Sequence, residues 1–159
     1  MKLIGIIDED FINYKKPSMV LEFPYCSFKC DKESGTQICQ NRALSNERVQ
    51  DINCYTLCER YINNPITSAV VMQGLEPMDS FDDVLCFIGY LRGDFRCSDD
   101  VVIYTGYNEN EIADKLSKLK QYDNIIVKFG RFVPNDESTF DSVLEVNLAS
   151  KNQYAKQIS

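Results

Sequence analysis

The sequence predicts an α/β domain with a mostly parallel sheet, because short apolar runs alternate with amphipathic segments. The apolar runs cover residues 69–72, 101–104 and 125–129. Continuous apolar runs of this length are typical of strands that are buried on both faces of a sheet. Helical spacing of apolar residues separates these runs, at 81–93 and at 110–119. A chain of 159 residues fits one domain, so we expect a single domain over residues 1–159.

The chain before these units predicts two extended segments and a long polar loop. Residues 3–7 and 18–23 are apolar enough to form a β-hairpin or a pair of extended pieces. Residues 27–53 are polar and irregular, and a loop of that length in a compact domain is usually functional or disordered. Residues 54–62 are predicted to form a helix.

The two later helices carry recognisable start and stop signals. Ser80 is predicted to be the N-cap of the helix at 81–93, with Asp83 close to the exposed amides and Gly93 at the end. The helix at 110–119 carries its apolar residues, Ile112 among them, at helical spacing.

Charge and hydropathy exclude several classes of partner. The formal net charge is -7, which argues against a non-specific nucleic-acid binder, since such a protein needs a basic face. No apolar run approaches the roughly 20 residues that span a bilayer. The apolar N-terminal stretch stops at Asp8 and is too short for a signal sequence. We therefore expect a cytoplasmic protein that binds neither nucleic acid nor membrane.

The cysteine and histidine counts narrow the chemistry further. Seven cysteines in a cytoplasmic chain, an odd number, argue against a disulfide framework. The chain has no histidine, which excludes Ser-His-Asp and Cys-His catalysis and histidine-based zinc hydrolysis. A metal must then be held by thiolate or oxygen ligands, and several thiolates favour zinc or an iron–sulfur cluster.

Three cysteines on the polar loop form the sharpest local motif. Cys26 and Cys30 are four residues apart, and Cys39 follows after a polar insertion that could fold it back towards them. Three thiolates can hold three irons of a cubane and leave the fourth iron open to a substrate's amino and carboxylate groups. The spacing favours such a cluster but leaves open a zinc knot or simply buried cysteines.

The other four cysteines are predicted to have no metal role. Cys54 and Cys58 share one face of a helix, where core packing is the better interpretation than a second metal site. Cys86 and Cys97 have no visible partner in the sequence.

Distinctive turns follow the predicted parallel strands. Gly74-Leu75-Glu76-Pro77 follows one strand, Thr105-Gly106-Tyr107 the next, and Gly130-Arg131 the last. Ligands of parallel sheets gather beyond the carboxyl ends of the strands. Each turn is therefore either a ligand-facing turn or an ordinary strand-to-helix connection.

Taken together, these motifs resemble those of the small radical S-adenosylmethionine proteins, most closely the activating proteins of anaerobic ribonucleotide reductases. Cys26, Cys30 and Cys39 correspond to that family's three-cysteine loop, with eight residues between the second and third cysteines in place of two. The turn at 74–77 corresponds to its Gly-Gly-Glu-Pro turn, with leucine at the second position. Several matches in the right order are more specific than any one motif alone.

Three further segments extend the resemblance over nearly the whole chain. Residues 102–107 resemble the family's next strand with its Thr-Gly-Tyr ending. Residues 129–132 are similar to its later Gly-x-Phe turn, and residues 150–153 to its C-terminal Ser-x-Asn-Gln segment.

The resemblance implies a partial (β/α) barrel and a 4Fe–4S cluster held by Cys26, Cys30 and Cys39. The residues that it implies for S-adenosylmethionine binding are Ile38, Gln40, Gly74, Glu76 and Thr105. The implied activity is reductive cleavage of S-adenosylmethionine, which generates a glycyl radical on a partner enzyme. That partner would be a glycyl radical enzyme such as anaerobic ribonucleoside-triphosphate reductase. The electron donor would be a low-potential protein of the flavodoxin or ferredoxin type.

Three other functions stay open at this point. The first is a radical S-adenosylmethionine enzyme that acts on a small molecule or a peptide. The second is a non-enzymatic iron–sulfur or zinc module that binds a partner. The third is a redox-sensing dithiol formed by Cys26 and Cys30.

Overall fold

The computed structural model describes all residues from 1 to 159. The strands are β1 (Lys2–Leu3), β2 (Gly5–Asp10), β3 (Ser18–Phe23), β4 (Gln50–Asp51), β5 (Ala69–Gly74), β6 (Asp100–Tyr104), β7 (Ile125–Phe129), β8 (Thr139–Asp141), β9 (Val146–Leu148) and β10 (Tyr154–Gln157). The helices are α1 (Lys29–Ser34), α2 (Cys54–Ile62), α3 (Phe81–Gly93) and α4 (Ala113–Leu119). Short 3₁₀ turns lie at Arg42–Asn46, Pro77–Ser80 and Glu109–Glu111.

A six-stranded mixed sheet organises the fold, in the order β10-β7-β6-β5-β3-β2. The four central strands, β3, β5, β6 and β7, run parallel, whereas β2 and β10 pair antiparallel at the two edges. The prediction of an α/β domain with a mostly parallel sheet is therefore confirmed. Two small antiparallel pairs, β1 with β4 and β8 with β9, lie outside this sheet.

The two faces of the sheet bury different sets of residues. On one face, alternate strand residues such as Leu21 and Met72 pack against α2, α3 and α4 in a core cluster of 23 residues. On the other face, Val20 and Val71 pack in a smaller cluster of nine residues, which Leu144 and Leu148 cover. Alternation along each strand assigns successive side chains to opposite faces. The helices therefore cover one face of the sheet. The other face is covered only by the residues of the smaller cluster.

Most predicted elements appear at the expected places. The helix at 54–62 is confirmed with the same bounds, and the strand at 125–129 matches β7. The helix predicted from residue 110 begins only at Ala113, because a 3₁₀ turn precedes it. In that turn the Glu111 carboxylate accepts a hydrogen bond of 2.8 Å from the Asn108 amide.

The predicted cap of α3 is wrong in its mechanism. Ser80 occupies the N-cap position, but its hydroxyl makes no hydrogen bond. Asp83 accepts instead from the backbone amide of Lys2 at 3.0 Å and lies 3.8 Å from the Met1 ammonium. The first turn of α3 therefore holds the chain's N-terminus.

Other parts of the chain have more structure than the sequence predicts. The polar stretch at 27–53 contains the helix α1 and a 3₁₀ turn. The strands β8, β9 and β10 were not predicted. No helix combines the length and the apolar character that a membrane span requires.

Candidate functional site

A cavity of about 410 Å³ lies at the carboxyl ends of the parallel strands. Its walls come from the cysteine loop after β3 and from the turns after β5, β6 and β7. Seven of the eight residues predicted for the site line it: Cys26, Cys30, Cys39, Gln40, Gly74, Glu76 and Thr105. Ile38 does not line it; this residue is half-buried and its amide donates to Asp31 at 2.8 Å.

The cysteine loop begins with an unusual backbone conformation. Phe28 has a φ of 51°, in the left-handed region that non-glycine residues rarely adopt, and α1 starts immediately after it. The Phe28 amide donates to the Cys26 sulfur at 3.2 Å. The turn thus holds Cys26 in place and carries Cys30 into the first turn of α1.

Asp31 folds the long insertion between the second and third cysteines. Its carboxylate accepts from the amides of Ile38 at 2.8 Å and Cys39 at 2.9 Å, and it pairs with Arg42 at 2.5 Å. These bonds, the Ile38 bond first, lower the pKa of Asp31. Asp31 directly follows Cys30, so bonds to its carboxylate bring Cys39 back beside Cys30.

The three thiols of the loop affect one another. In addition to the larger effect of burial, the charge of Cys39 raises the pKa of Cys30. Burial raises the pKa of Cys26 to about 12, and the charges of Glu76, Asp79 and Cys39 act in the same direction. Burial likewise raises the pKa of Cys30 to about 11.

The donor set of the loop consists of three thiols that line the cavity. No three His, Cys, Asp or Glu side chains converge closely enough to hold one metal ion. A zinc knot needs four converging ligands, and the wall of the cavity supplies three thiols. A cubane needs less convergence, because each thiolate binds a different iron. Three thiols on one cavity wall are compatible with that requirement.

The turn at the end of β5 requires a glycine at position 74. Gly74 has a φ of 95°, and a Cβ there would stand 2.7 Å from the backbone nitrogen of Phe23. The Nδ2 of Asn41 donates to the Gly74 carbonyl at 2.8 Å, which ties the cysteine loop to this turn. Leu75, the next residue, lines the cavity.

Glu76 joins two of the turns beneath the cavity. Its carboxylate accepts from the Thr105 hydroxyl at 2.7 Å, the Gly106 amide at 2.9 Å and the Met78 amide at 3.1 Å. Burial nevertheless raises the pKa of Glu76 to about 7. Glu76 thus contributes a buried carboxyl group to the site and connects the turn after β5 to the turn after β6.

Ion pairs at the rim connect α1 to the turns after β6 and β7. Arg131 makes two hydrogen bonds to the Glu111 carboxylate, at 2.7 and 2.8 Å, and its Nε lies 3.0 Å from Glu33. Lys29 of α1 pairs with the same Glu111. These cations, Arg131 first, hold the pKa of Glu111 well below its usual range.

The C-terminal segment closes the far side of the site. Gly130 has a φ of 96°, and a Cβ there would stand 2.8 Å from the Asn152 carbonyl oxygen. The Nε2 of Gln153 donates to the Gly130 carbonyl at 3.2 Å. The segment at 150–153, noticed in the sequence, thus packs directly on the turn after β7.

Sequence reasoning missed four residues that shape the site. Asp31 and Asn41 position the cysteine loop, and Gln73 and Lys128 line the cavity from inside the strands. The signal for the last two was present, since each is a polar residue within an otherwise apolar strand.

Four cysteines lie away from the cavity. Cys54 and Cys58 are buried between α2 and α3, in agreement with the prediction of core packing. Cys86 is exposed and forms no disulfide bond, and burial, followed by the neighbouring Cys86, raises the pKa of Cys54 to about 12. Comparisons with protein-family models, with curated proteins and with solved structures found no match to this chain.

Proposed function

We propose that this protein is a radical S-adenosylmethionine enzyme of the glycyl radical activating type. The observation that carries the proposal is the meeting of three thiols with the glycine–glutamate and threonine–glycine turns around one cavity. When bound, the cluster would supply the electron that cleaves S-adenosylmethionine reductively. The chain's own residues would hold the cluster, orient the cofactor and limit the access of water.

The thiols of Cys26, Cys30 and Cys39 are the proposed cluster ligands. They are half-buried and line the same cavity, and the chain offers no histidine as a fourth ligand. Three thiolates leave one iron of a cubane without a protein ligand, which is the position where a cofactor would bind. Asp31 and Asn41 support the loop from either side of Cys39.

Glu76 and the Gly74 turn are proposed to hold the amino end of the cofactor. An ionised carboxylate has about four acceptor positions, and protein donors use three of those on Glu76. One position remains for a donor from a ligand. Gln40, the neighbour of Cys39 in the sequence, also lines the cavity.

We also propose that the sheet is one side of a partial (β/α) barrel. The support is that all three longer helices pack on one face, whereas the cavity lies at the carboxyl ends of the parallel strands. The proposed partners are a glycyl radical enzyme, such as anaerobic ribonucleoside-triphosphate reductase, and a low-potential donor of the flavodoxin or ferredoxin type. The seven free thiols suit a reducing, cytoplasmic compartment.

The test is anaerobic reconstitution followed by iron and sulfide analysis and a cleavage assay. We expect about four irons per chain and release of methionine and 5′-deoxyadenosine on reduction. Addition of the glycyl radical enzyme should stimulate the cleavage, whereas small molecules should not. A protein that binds metal without cleaving the cofactor would instead be a binding module.

A further inference from the structure

The cavity-facing side of the sheet ends in a row of polar residues. Glu22 pairs with Gln73 in register, and Tyr104 pairs with Lys128, so that each parallel strand contributes one polar side chain next to its carboxyl end. One step further into the sheet, the same face is apolar, as at Val71 and Ile126. Gln73, Tyr104 and Lys128 of this row line the cavity, so the polar level of the sheet faces the contents of the cavity.

Lys128 is the exceptional member of this row. Only 7% of the residue is exposed, and it lines the cavity. Its ammonium donates one hydrogen bond, of 3.1 Å, to the Gly130 carbonyl, and it forms no ion pair. An ammonium has three donors, so two remain without a protein acceptor, and the other contact of the ammonium is with the face of the Tyr104 ring, 6.0 Å from its centroid. A buried charge in this state is costly unless a ligand compensates it.

The carboxylates of the neighbouring elements are bound to other groups. Glu76 accepts from Thr105 and two backbone amides. Asp10 accepts from the amides of residues 12 and 13, and Asp141 from those of residues 143, 144 and 155. The charge of Glu76 acts on Lys128 without a hydrogen bond or an ion pair between them, so the ammonium keeps two donors for the contents of the cavity.

We propose that Lys128 is the anchor of an oxyanion subsite, which binds a carboxylate or phosphate group of the substrate. Lys128 lies on β7, three strand spacings from the strand that leads to the cysteines, or about 14 Å along the sheet. A cofactor bound at the open iron would place its amino acid end on the side of the cysteines, and its nucleoside end carries no anionic group. We therefore assign the oxyanion to a second molecule, and the cofactor's own carboxylate is the alternative that the test below excludes. That assignment rests on the proposed function, whereas the subsite itself does not.

Calorimetric titration of the full-length protein tests the subsite in the absence of iron. The probes are pyrophosphate, glutarate and S-adenosylmethionine, and the variants are Lys128→Met and, as a matched control, Lys118→Met. Lys118 is an exposed lysine of α4, so its variant loses the same charge away from the cavity. We expect pyrophosphate or glutarate to bind the wild type and Lys118→Met equally, and Lys128→Met at least about tenfold more weakly.

The probes also separate the sources of the anion. Preference for pyrophosphate indicates a phosphorylated substrate, and preference for glutarate a carboxylate. If neither binds the wild type, or if Lys128→Met binds as well as Lys118→Met, the subsite is refuted. If Lys128→Met weakens the binding of S-adenosylmethionine as much as that of pyrophosphate or glutarate, the assignment of the oxyanion to a second molecule is refuted. Lys128→Gln provides the same comparison should the methionine variant not fold.

Failure of this proposal is distinguishable from failure of the proposed function. Anion binding is measured without a cluster, whereas the proposed function is judged by iron content and cofactor cleavage. A protein that binds pyrophosphate through Lys128 but assembles no cluster would keep the subsite and lose the radical chemistry. A protein that assembles a cluster and cleaves the cofactor, but binds no anion through Lys128, would support the proposed function and refute the subsite.

Discussion

The chain contains the same four-residue cysteine spacing twice, in regions with opposite properties. Cys26 and Cys30 lie on a loop and at the start of a short helix, half-buried, with their thiols at a cavity. Cys54 and Cys58 lie on one face of α2, buried against α3. The Cys58 thiol lies 3.5 Å from the Phe87 carbonyl and belongs to the main core cluster. The spacing of two cysteines is thus less informative than the element that carries them.

The two regions also differ in what they contribute to stability. The helix-facing region buries apolar side chains, which stabilise the fold by roughly 1.5–3 kcal/mol for each large one. The cavity region holds a buried carboxylate, a buried ammonium and a left-handed phenylalanine, all of which cost free energy. Such unfavourable groups concentrate where a site binds or reacts, because the rest of the fold can support them.

The largest expected effect separates the two cysteine sets by iron content. Cys39→Ala should lose the cluster almost completely after anaerobic reconstitution, because two thiolates cannot hold three irons of a cubane. Cys58→Ala should retain about four irons per chain, since its thiol lies in the core. Iron and sulfide analysis of both variants checks this. A fully loaded, active Cys39→Ala protein would remove Cys39 from the proposed ligand set.

The next effect is a pH dependence that originates in the cavity region. Burial raises the pKa of Glu76 to about 7, above its value in the unfolded chain, so the folded protein binds an additional proton between about pH 4.5 and 7. The contribution of Glu76 is fully present below that window and is lost as the pH rises through it. The free energy of unfolding should therefore fall by about 3 kcal/mol from pH 4.5 to pH 8.

Denaturant titrations of the wild type, Glu76→Gln and Glu47→Gln at several pH values measure this dependence. Glu76→Gln should abolish the decline, because glutamine does not titrate. Glu47 is exposed and its side chain has no hydrogen-bond partner, so Glu47→Gln should follow the wild type. An equal decline in Glu76→Gln would assign the pH dependence to another group.

A smaller effect concerns the stability of the apoprotein. Cys58→Ala removes a fully buried sulfur from the core, which should cost about 1–2 kcal/mol. Cys30→Ala removes a half-buried thiol at the cavity and should change the free energy of unfolding by less than about 0.5 kcal/mol. Urea denaturation of the two iron-free variants makes the comparison. An equal loss in the free energy of unfolding would mean that both cysteine pairs stabilise the core.

The sequence predicted the secondary structure of the core better than the contacts of the cavity region. The apolar periodicity of β5, β7 and α2 was sufficient to place them, because burial on a sheet or a helix face leaves a regular pattern. The strands β8 to β10 were missed because they are short: β8 and β9 pair only with each other, and β10 depends on pairing with β7, which is distant in the sequence. In the site, Gly74 and Glu76 were recognisable from their turn, but the contact of Glu76 with Thr105 joins residues 29 positions apart.

The cysteine loop shows the same limit in its fold. The sequence predicted that Cys39 could fold back towards Cys30, but it did not show which interaction holds it there. Asp31 holds it, because its carboxylate accepts hydrogen bonds from two backbone amides and one arginine of the returning chain. A single aspartate in a polar stretch carries no pattern, so only the structure could assign it this role.

The smallest expected effect on global stability is therefore at Asp31, where the change should be local. Asp31→Ala leaves the amides of Ile38 and Cys39 without their acceptor, in a loop that buries no large apolar residue. The midpoint of thermal unfolding should move by less than about 1–2 °C, whereas hydrogen exchange at those two amides should accelerate at least about tenfold. Lys32→Ala, at an exposed position of the same helix, is the control and should change neither amide. If exchange at Cys39 stays at the wild-type rate, the loop is held by its rim contacts at Lys29 and Glu33, and Asp31 does not position the third cysteine.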